Sequence, residues 1–268
     1  MIPIFDSLVH PTLNGSWILP KWPECASISK LKEQMQTNNV CGAFAVGMVG
    51  IGGYEEDKFL CMVRQEGECK LFPIAFFSFD KETGTDCEKR LWEIKNKGYS
   101  GIKLHPRIGG FLLDDVRLPL VIDKANELGL VVLLCTYFYS NKQDMTVNNI
   151  DNLGKLLSKI KDCSKVVLLH GGGVRLLETM EIVRAFPNTL LDLSLTFCKY
   201  AGSSLDIDIK FLFEHFDQRI CIGTDHPEFS HKELRERFEY FSEGISDIKL
   251  ENIAYKNIMK FSGVQEIE

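Results

Sequence analysis

Eight short apolar runs, separated by longer stretches with polar residues at helical spacing, constrain this 268-residue chain more than any other feature. The runs are Ile2–Phe5, Gly42–Met48, Leu71–Phe77, Gly101–Leu104, Val131–Cys135, Lys165–Leu169, Thr189–Leu193 and Arg219–Ile222. They are rich in Val, Ile, Leu and Phe and mostly continuous rather than alternating, as expected of parallel strands buried on both faces. Between them, stretches such as Ser27–Gln36, Asp57–Gln65, Asp86–Lys97, Val116–Leu128, Asn152–Lys161 and Val174–Ala185 have the spacing of amphipathic helices. Strands that alternate with helices in this way make βα units. Gly98, Gly129 and Gly202 follow helical stretches, where glycine caps a helix cheaply in the left-handed region. The tail Ile248–Phe261, with Asn257, reads as one last helix packing under the sheet.

A chain of this length suits a single parallel (β/α)8 TIM barrel. No Pro/Ser-rich linker, repeat or low-complexity tract divides it, so the expectation is one domain over residues 1–268. An open doubly wound sheet is the alternative. Its dinucleotide-binding version is disfavoured because no GxGxxG follows the first run.

Charge and cysteine usage narrow the partners. The formal charge is −6 and no basic block stands out, which argues against nucleic acid and leaves a small-molecule substrate. No apolar run reaches the roughly 18 residues of a membrane span. The opening MIPIFDSLVHP lacks the features of a signal peptide. Nine scattered cysteines without a CxxC pair suit free thiols in a reducing cytoplasm and not a structural zinc site of that kind. A homo-oligomer is compatible with all of this.

In a (β/α)8 barrel, functional groups sit at the C-terminal ends of the strands. Polar residues appear here where the apolar runs stop. Run one is followed by Asp6-Ser7-Leu8-Val9-His10-Pro11, and run four leads into His105-Pro106-Arg107. Run five ends in Cys135-Thr136, run six in His170-Gly171-Gly172-Gly173, and run eight in Gly223-Thr224-Asp225-His226-Pro227. Each residue alone has a plain structural reading. A strand-end His is more often a hydrogen-bonded structural residue than a ligand, Asp225 alone suits a turn, Cys135 alone suits a small buried apolar position, and the three glycines suit a tight turn or an anion cradle. Five such ends in one barrel point to a convergent site, with His10, His170 and Asp225 meeting at its mouth.

These words resemble those of the amidohydrolase superfamily, in particular its amidohydrolase-related branch, family 2. There the first word is D-x-H-x-H, matched here by Asp6-Ser7-Leu8-Val9-His10. G-I-K-L-H-P is matched by Gly101 to Pro106, His-Thr by Cys135-Thr136, His-Gly by His170-Gly171, and G-[ST]-D-x-P by Gly223 to Pro227. The likeness runs from residue 2 to about residue 261. It implies a (β/α)8 barrel enzyme that often carries a divalent metal. It also exposes two departures: Leu8 stands where the family has a metal-binding His, and Cys135 stands where it has another. What the resemblance leaves is zinc or another divalent ion held by His10, Cys135, Asp225 and His170, or an empty site.

With a metal, the implied chemistry is hydrolysis or decarboxylation, in which Asp225 takes the proton of the bound water and His170 orients or stabilises the oxyanion. Without one, Asp225 acts as general base on water, which suits an activated substrate such as a lactone. Lys103, His105, Arg107 and Arg175 are the candidate substrate-binding residues; either arginine matches a carboxylate with its bidentate fork. Strand parity puts Lys103 and His105 on one face, where an interior lysine needs a carboxylate such as Asp6 or Asp192. The competing reading is a barrel that has lost catalysis and binds a ligand or partner. Aromatic residues such as Trp17, Trp22 and Tyr137-Phe138-Tyr139 suit either a pocket lining or a core.

Overall fold

A computed structural model describes residues 1–65, 70–79, 86–138 and 147–264; Tyr139 lies outside them. Its eight strands are β1 (Ile4–Val9), β2 (Val40–Val46), β3 (Lys70–Phe77), β4 (Gly101–Leu104), β5 (Val131–Cys135), β6 (Val166–Leu169), β7 (Thr189–Asp192) and β8 (Ile220–Cys221). They form one sheet in chain order from β1 to β8. The pairings β1–β2, β2–β3, β4–β5, β5–β6 and β6–β7 are parallel. The Ser7 amide donates to the Ile222 carbonyl at 3.2 Å, so the eighth strand returns to the first. The fold is a (β/α)8 barrel.

The residues fall into two compact units, 1–74 with 192–268 and 75–191. In the first, α1 (Ile28–Thr37) follows β1, and α2 (Glu56–Val63) follows β2. The core of this unit is aromatic. Phe5 meets Phe44 edge-on at 5.0 Å, and Phe197 stacks on Phe213 at 5.9 Å. All four side chains are fully buried, each contributing about 1.5–3 kcal/mol of transfer free energy. Ser230 and Glu233 form a reciprocal capping box that fixes where the helix His231–Ser242 begins, and therefore where His231 sits. The tail is not one regular helix. Asp247–Glu251 and Asn257–Ser262 are joined through a wider turn over Asn252–Lys256. The Asn257 amide donates to the carbonyls of Asp217 and Ile220, which ties the tail to β8.

The second unit carries α3 (Cys87–Lys97), α4 (Pro106–Gly109), α5 (Leu118–Glu127), α6 (Asn149–Leu157) and α7 (Leu176–Ala185) among its strands. Asp86 caps α3 through the amides of Glu88 and Lys89, and Gly98 ends it at φ 83°. Ile102 and Leu104 have no exposure and Lys103 has 1%, so β4 is covered on both faces.

The first strand corrects the sequence reading. It extends to Val9 instead of stopping at Phe5, and Asp6 and Ser7 are buried inside it. Each polar side chain has a partner there. Ser7 donates to Asp192, and Asp6 accepts from Thr224. A strand interior tolerates polar groups when they are satisfied in this way.

Candidate active site

In the first unit the strand-end residues His10 and Asp225 meet. His10 Nε2 lies 3.3 Å from Asp225 Oδ1, with side-chain exposures of 3% and 13%. The other ring nitrogen, Nδ1, donates to the Val46 carbonyl at 2.9 Å, because a carbonyl only accepts. That bond fixes the ring, and Trp17 stacks on it at 5.4 Å while donating through its indole to Glu228 at 2.8 Å. With Nδ1 protonated, Nε2 is the ring nitrogen that faces Asp225. His10 thus sets the position of the group that faces the carboxylate.

Asp225 is held in a costly backbone conformation, φ 56°. Non-glycine residues adopt such angles only when their surroundings over-determine them, and they gather at functional sites. The surroundings are visible. Asp6 Oδ1 accepts from the amides of Leu8 and Thr224, both at 3.0 Å, and Asp6 Oδ2 accepts from the Thr224 hydroxyl at 2.5 Å. Thr224 Oγ1 in turn accepts the His226 amide at 2.9 Å, and the His226 carbonyl accepts from His10 at 2.7 Å. Both neighbours of Asp225 are therefore anchored. Gly223 allows the close approach, since a Cβ there would stand 2.3 Å from Ser7 Oγ and 2.7 Å from Asp6 Oδ1.

Behind this anchor lies a pair the sequence reading missed. His231 Nε2 stands 3.0 Å from Asp6 Oδ2, close enough for an ion pair but off the line of a hydrogen bond, and neither side chain has any exposure. His226 stacks on His231 at 5.6 Å; burial first, then the neighbouring His231, push the His226 imidazole well below the ordinary histidine range. The local signal that could have located His231 is the Ser230-x-x-Glu233 capping-box pattern that spans it.

The second unit gathers His105, Cys135 and His170 from the ends of three consecutive strands. Burial raises the pKa of the Cys135 thiol, but His105 and His170, through charge and hydrogen bonds, outweigh burial and hold it well below the ordinary thiol range. Burial lowers the His105 pKa, partly offset by Cys135, with Lys103 and Arg107 adding to the lowering. His105 Nδ1 accepts the Ile108 amide at 3.4 Å as the N-cap of α4. Arg107 Nη2 lies 3.8 Å from Cys135 Sγ, and its guanidinium covers the Tyr137 ring at 5.3 Å. Tyr137 also meets His170 edge-on at 6.3 Å.

His170, like Asp225, sits at positive φ, 69°. It opens the kinked turn His170–Arg175, in which Gly171 to Gly173 also have positive φ. Thr136 secures this loop: its hydroxyl donates to the Leu169 carbonyl at 2.6 Å and accepts the Gly172 amide at 3.0 Å. Arg175 is exposed and its guanidinium meets Glu178 at 3.3 Å.

Among the described residues, the strand-end donors do not assemble into a site for a divalent ion. Among the described residues, no group of three or more His, Cys, Asp or Glu side chains is gathered for a metal. Leu8 has no lone pair and is fully buried, and both His10 nitrogens face protein partners. Among the described residues, no helix is long and apolar enough to cross a membrane.

A family model described as Amidohydrolase matches residues 71–262, more than two thirds of the chain. No curated protein matches the chain by sequence. Solved structures share its fold. An uncharacterised TIM-barrel protein from Bordetella bronchiseptica is 17% identical with a TM-score of 0.79, covering 97% of this chain and 99% of that one. A probable 2-pyrone-4,6-dicarboxylic acid hydrolase from Acinetobacter baumannii, with citric acid bound, is 16% identical with a TM-score of 0.68 over 97% and 99% of the two chains. A 5-carboxyvanillate decarboxylase from Sphingomonas paucimobilis is 10% identical with a TM-score of 0.65 over 99% and 100%.

Proposed function

The chain belongs to the amidohydrolase family, and from that membership and its strand-end residues we propose that it is a hydrolase of a small lactone- or carboxylate-bearing molecule, acting by water attack. The observation that carries this reading is Asp225: a carboxylate that is 13% exposed, strained at φ 56°, and backed by a buried histidine. In this reading Asp225 takes the proton of the attacking water, and His10 holds its orientation and relays the proton. In the second unit, taken by itself, Arg107 carries the bidentate fork that suits a carboxylate. Similarity to a dicarboxylic acid hydrolase supports the choice of substrate class. Lactones are favoured over plain amides because an activated acyl group needs less electrophilic help.

Hydrolysis of a panel of small lactones, lactone dicarboxylates among them, in ¹⁸O-labelled water tests this. The expected product acid carries solvent oxygen. Asp225→Asn is expected to lower kcat by roughly 10²–10⁴-fold. Asparagine tolerates positive φ, so the fold should survive the change. Unchanged turnover in that variant would remove Asp225 from the reaction. Release of carbon dioxide from a substrate carboxylate, with no solvent oxygen gained, would replace hydrolysis with decarboxylation. Ligand binding without turnover would make the chain a binding protein.

A further inference from the structure

We propose that this chain forms a two-fold dimer through the outer face of two helices of the first unit, with a second copy of the chain seated in the groove between them. The proposal is independent of the hydrolytic reading above.

Past β7 the first unit carries α8 (Thr196–Lys199), α9 (Leu205–His215) and α10 (His231–Ser242). The inner sides of α9 and α10 are closed. Phe213 and Phe241 pack on Phe197 at 5.9 and 5.5 Å. Arg237 ties the same elements together, donating to the Asp206 carboxylate and, at 2.9 Å, to the Phe197 carbonyl. The outer sides are open. Ile207 is 74% exposed, Phe211 41% and Tyr240 65%. Ile207, Phe211 and His215 stand four residues apart, so they form one ridge along α9, and the last two rings meet at 4.9 Å. Between this ridge and Tyr240 lies a groove of about 520 Å³, walled also by Lys210, Glu214 and Glu243. Lys210 spans the two helices, donating to the carbonyls of Phe241, at 3.3 Å, and Glu243.

The occupant is a second copy because the face complements itself. At about 100° per residue, Lys210 and Glu214 lie on the groove side of the ridge and Asp208 on the other. Two copies of α9 running antiparallel about a two-fold axis beside Phe211 set Lys210 against the partner's Glu214. On the other flank they set Asp208 against the partner's His215. The symmetry makes each contact twice, and every contact joins unlike groups. A parallel pairing would put lysine on lysine and carboxylate on carboxylate. In the antiparallel arrangement each Phe211 enters the groove of the other copy, the ridge-into-groove relief by which helices pack. A small molecule in the groove would leave the crest of the ridge in water, whereas a second copy covers both. Covering Ile207, Phe211 and Tyr240 removes roughly 400 Å² of apolar surface per copy, and the polar flanks bring the two copies together to roughly 1,000–1,200 Å², the low end for a specific interface. An interface of that size makes a weak, reversible dimer.

Sedimentation velocity of the full chain, from about 1 μM to about 1 mM, tests this. The expected result is a reversible shift from the mass of one chain to that of two, with a Kd of roughly 10–100 μM. Ile207→Lys and Phe211→Glu should each raise that Kd at least about 10-fold. Leu120→Lys, at a half-exposed position of α5, should leave it unchanged. Ile207 is mostly in water, so its variant keeps the fold and decides the matter even if Phe211→Glu unfolds. Lys210→Glu and Glu214→Lys, each alone, turn two contacts into like-charge pairs and should weaken self-association about tenfold. Mixed in equal amounts, the two variants should recover a dimer near the original affinity, because each contact is again between unlike charges. A monomer at every concentration would overturn the proposal, and so would a dimer indifferent to Ile207→Lys. A mixture that associates no better than either charge variant alone would refute the antiparallel pairing. A persistent monomer that binds anilinonaphthalene sulfonate, and loses it in Phe211→Glu, would make the groove a small-molecule site and remove the second copy as its occupant.

Discussion

Replacing Asp6 by asparagine probes the buried anchor that holds Asp225 in place. The side chain keeps its shape, and its remaining carbonyl oxygen still accepts from the Leu8 and Thr224 amides, both 3.0 Å away. The Thr224 hydroxyl has another acceptor within reach, the Leu8 carbonyl at 3.5 Å. What the change removes is the negative charge beside His231, 3.0 Å away with no exposure on either side. With the His231 ring protonated, Coulomb's law at that distance and an effective dielectric near 20 gives an attraction of about 5 kcal/mol. Breaking one member of a buried pair typically costs about 3–5 kcal/mol, because the partner stays desolvated and uncompensated. Asp6→Asn should therefore lower stability by about 3–5 kcal/mol, and Tm by roughly 6–20 °C for a chain of this size. Urea titration followed by circular dichroism measures the first quantity and a thermal scan the second. His231→Asn and the double variant complete a cycle whose expected coupling exceeds about 2 kcal/mol. A loss under about 1 kcal/mol in Asp6→Asn, or additivity within about 0.5 kcal/mol in the cycle, would falsify the argument that the pair is a buried charge contact.

Two further perturbations test the local physics. Gly172→Ala puts a Cβ 2.1 Å from Thr179 Oγ1 at φ 73°, so it should cost more than about 2 kcal/mol, whereas Gly154→Ala, inside α6 with nothing within 4 Å, should stabilise by about 0.5–1 kcal/mol; equal effects in urea titrations would contradict this. Burial, and then Glu233, push the Cys198 thiol up to about 12, so the folded state keeps its proton where the unfolded chain loses it, and stability should fall as pH rises from about 9 by about 1.4 kcal/mol per unit from this group; Cys198→Ala should flatten that slope, and an unchanged slope would show that the thiol is not the cause.

The strands β4 and β5 were read from the sequence at their observed ends because their apolar runs begin at or just after a glycine, Gly101 and Gly129, and stop at a polar residue, His105 and Thr136. β1 was read too short, and the reason is specific. Its continuation contains Asp6 and Ser7, which local periodicity marks as a loop. The groups that satisfy them, Thr224 and Asp192, are 218 and 185 residues away in the chain, where no local pattern reports them. Helix ends fared better where a cap is a local matter: Asp86 and Gly98 bracket α3 as glycine and N-cap chemistry predict. The tail helix was expected as a single element, and its wider middle turn has no signal in the apolar spacing.

The candidate site shows the same division. His10 with Asp225, and Cys135 with His170, were each named from strand-end words, because parallel strands put such ends to use regardless of the loops between them. The contact of His105 with Cys135 depends on register, Leu104 against Leu134, which the equal treatment of two short apolar runs left undetermined. His231 belongs to a helix start, not a strand end, so no strand-based reading reaches it. Leu8 connects these observations. Its side chain is fully buried, and its amide donates to Asp6, the same carboxylate that anchors Thr224. Leu8 thus serves the first unit through its backbone, by fixing the anchor of Asp225. The lone pair that the family's histidine supplies at that position is missing, and the nitrogen facing Asp225 comes from His10. In the proposed reaction, a carboxylate whose backbone at positive φ is anchored through Asp6 and whose side chain faces an imidazole keeps the fixed position that general-base chemistry at Asp225 requires.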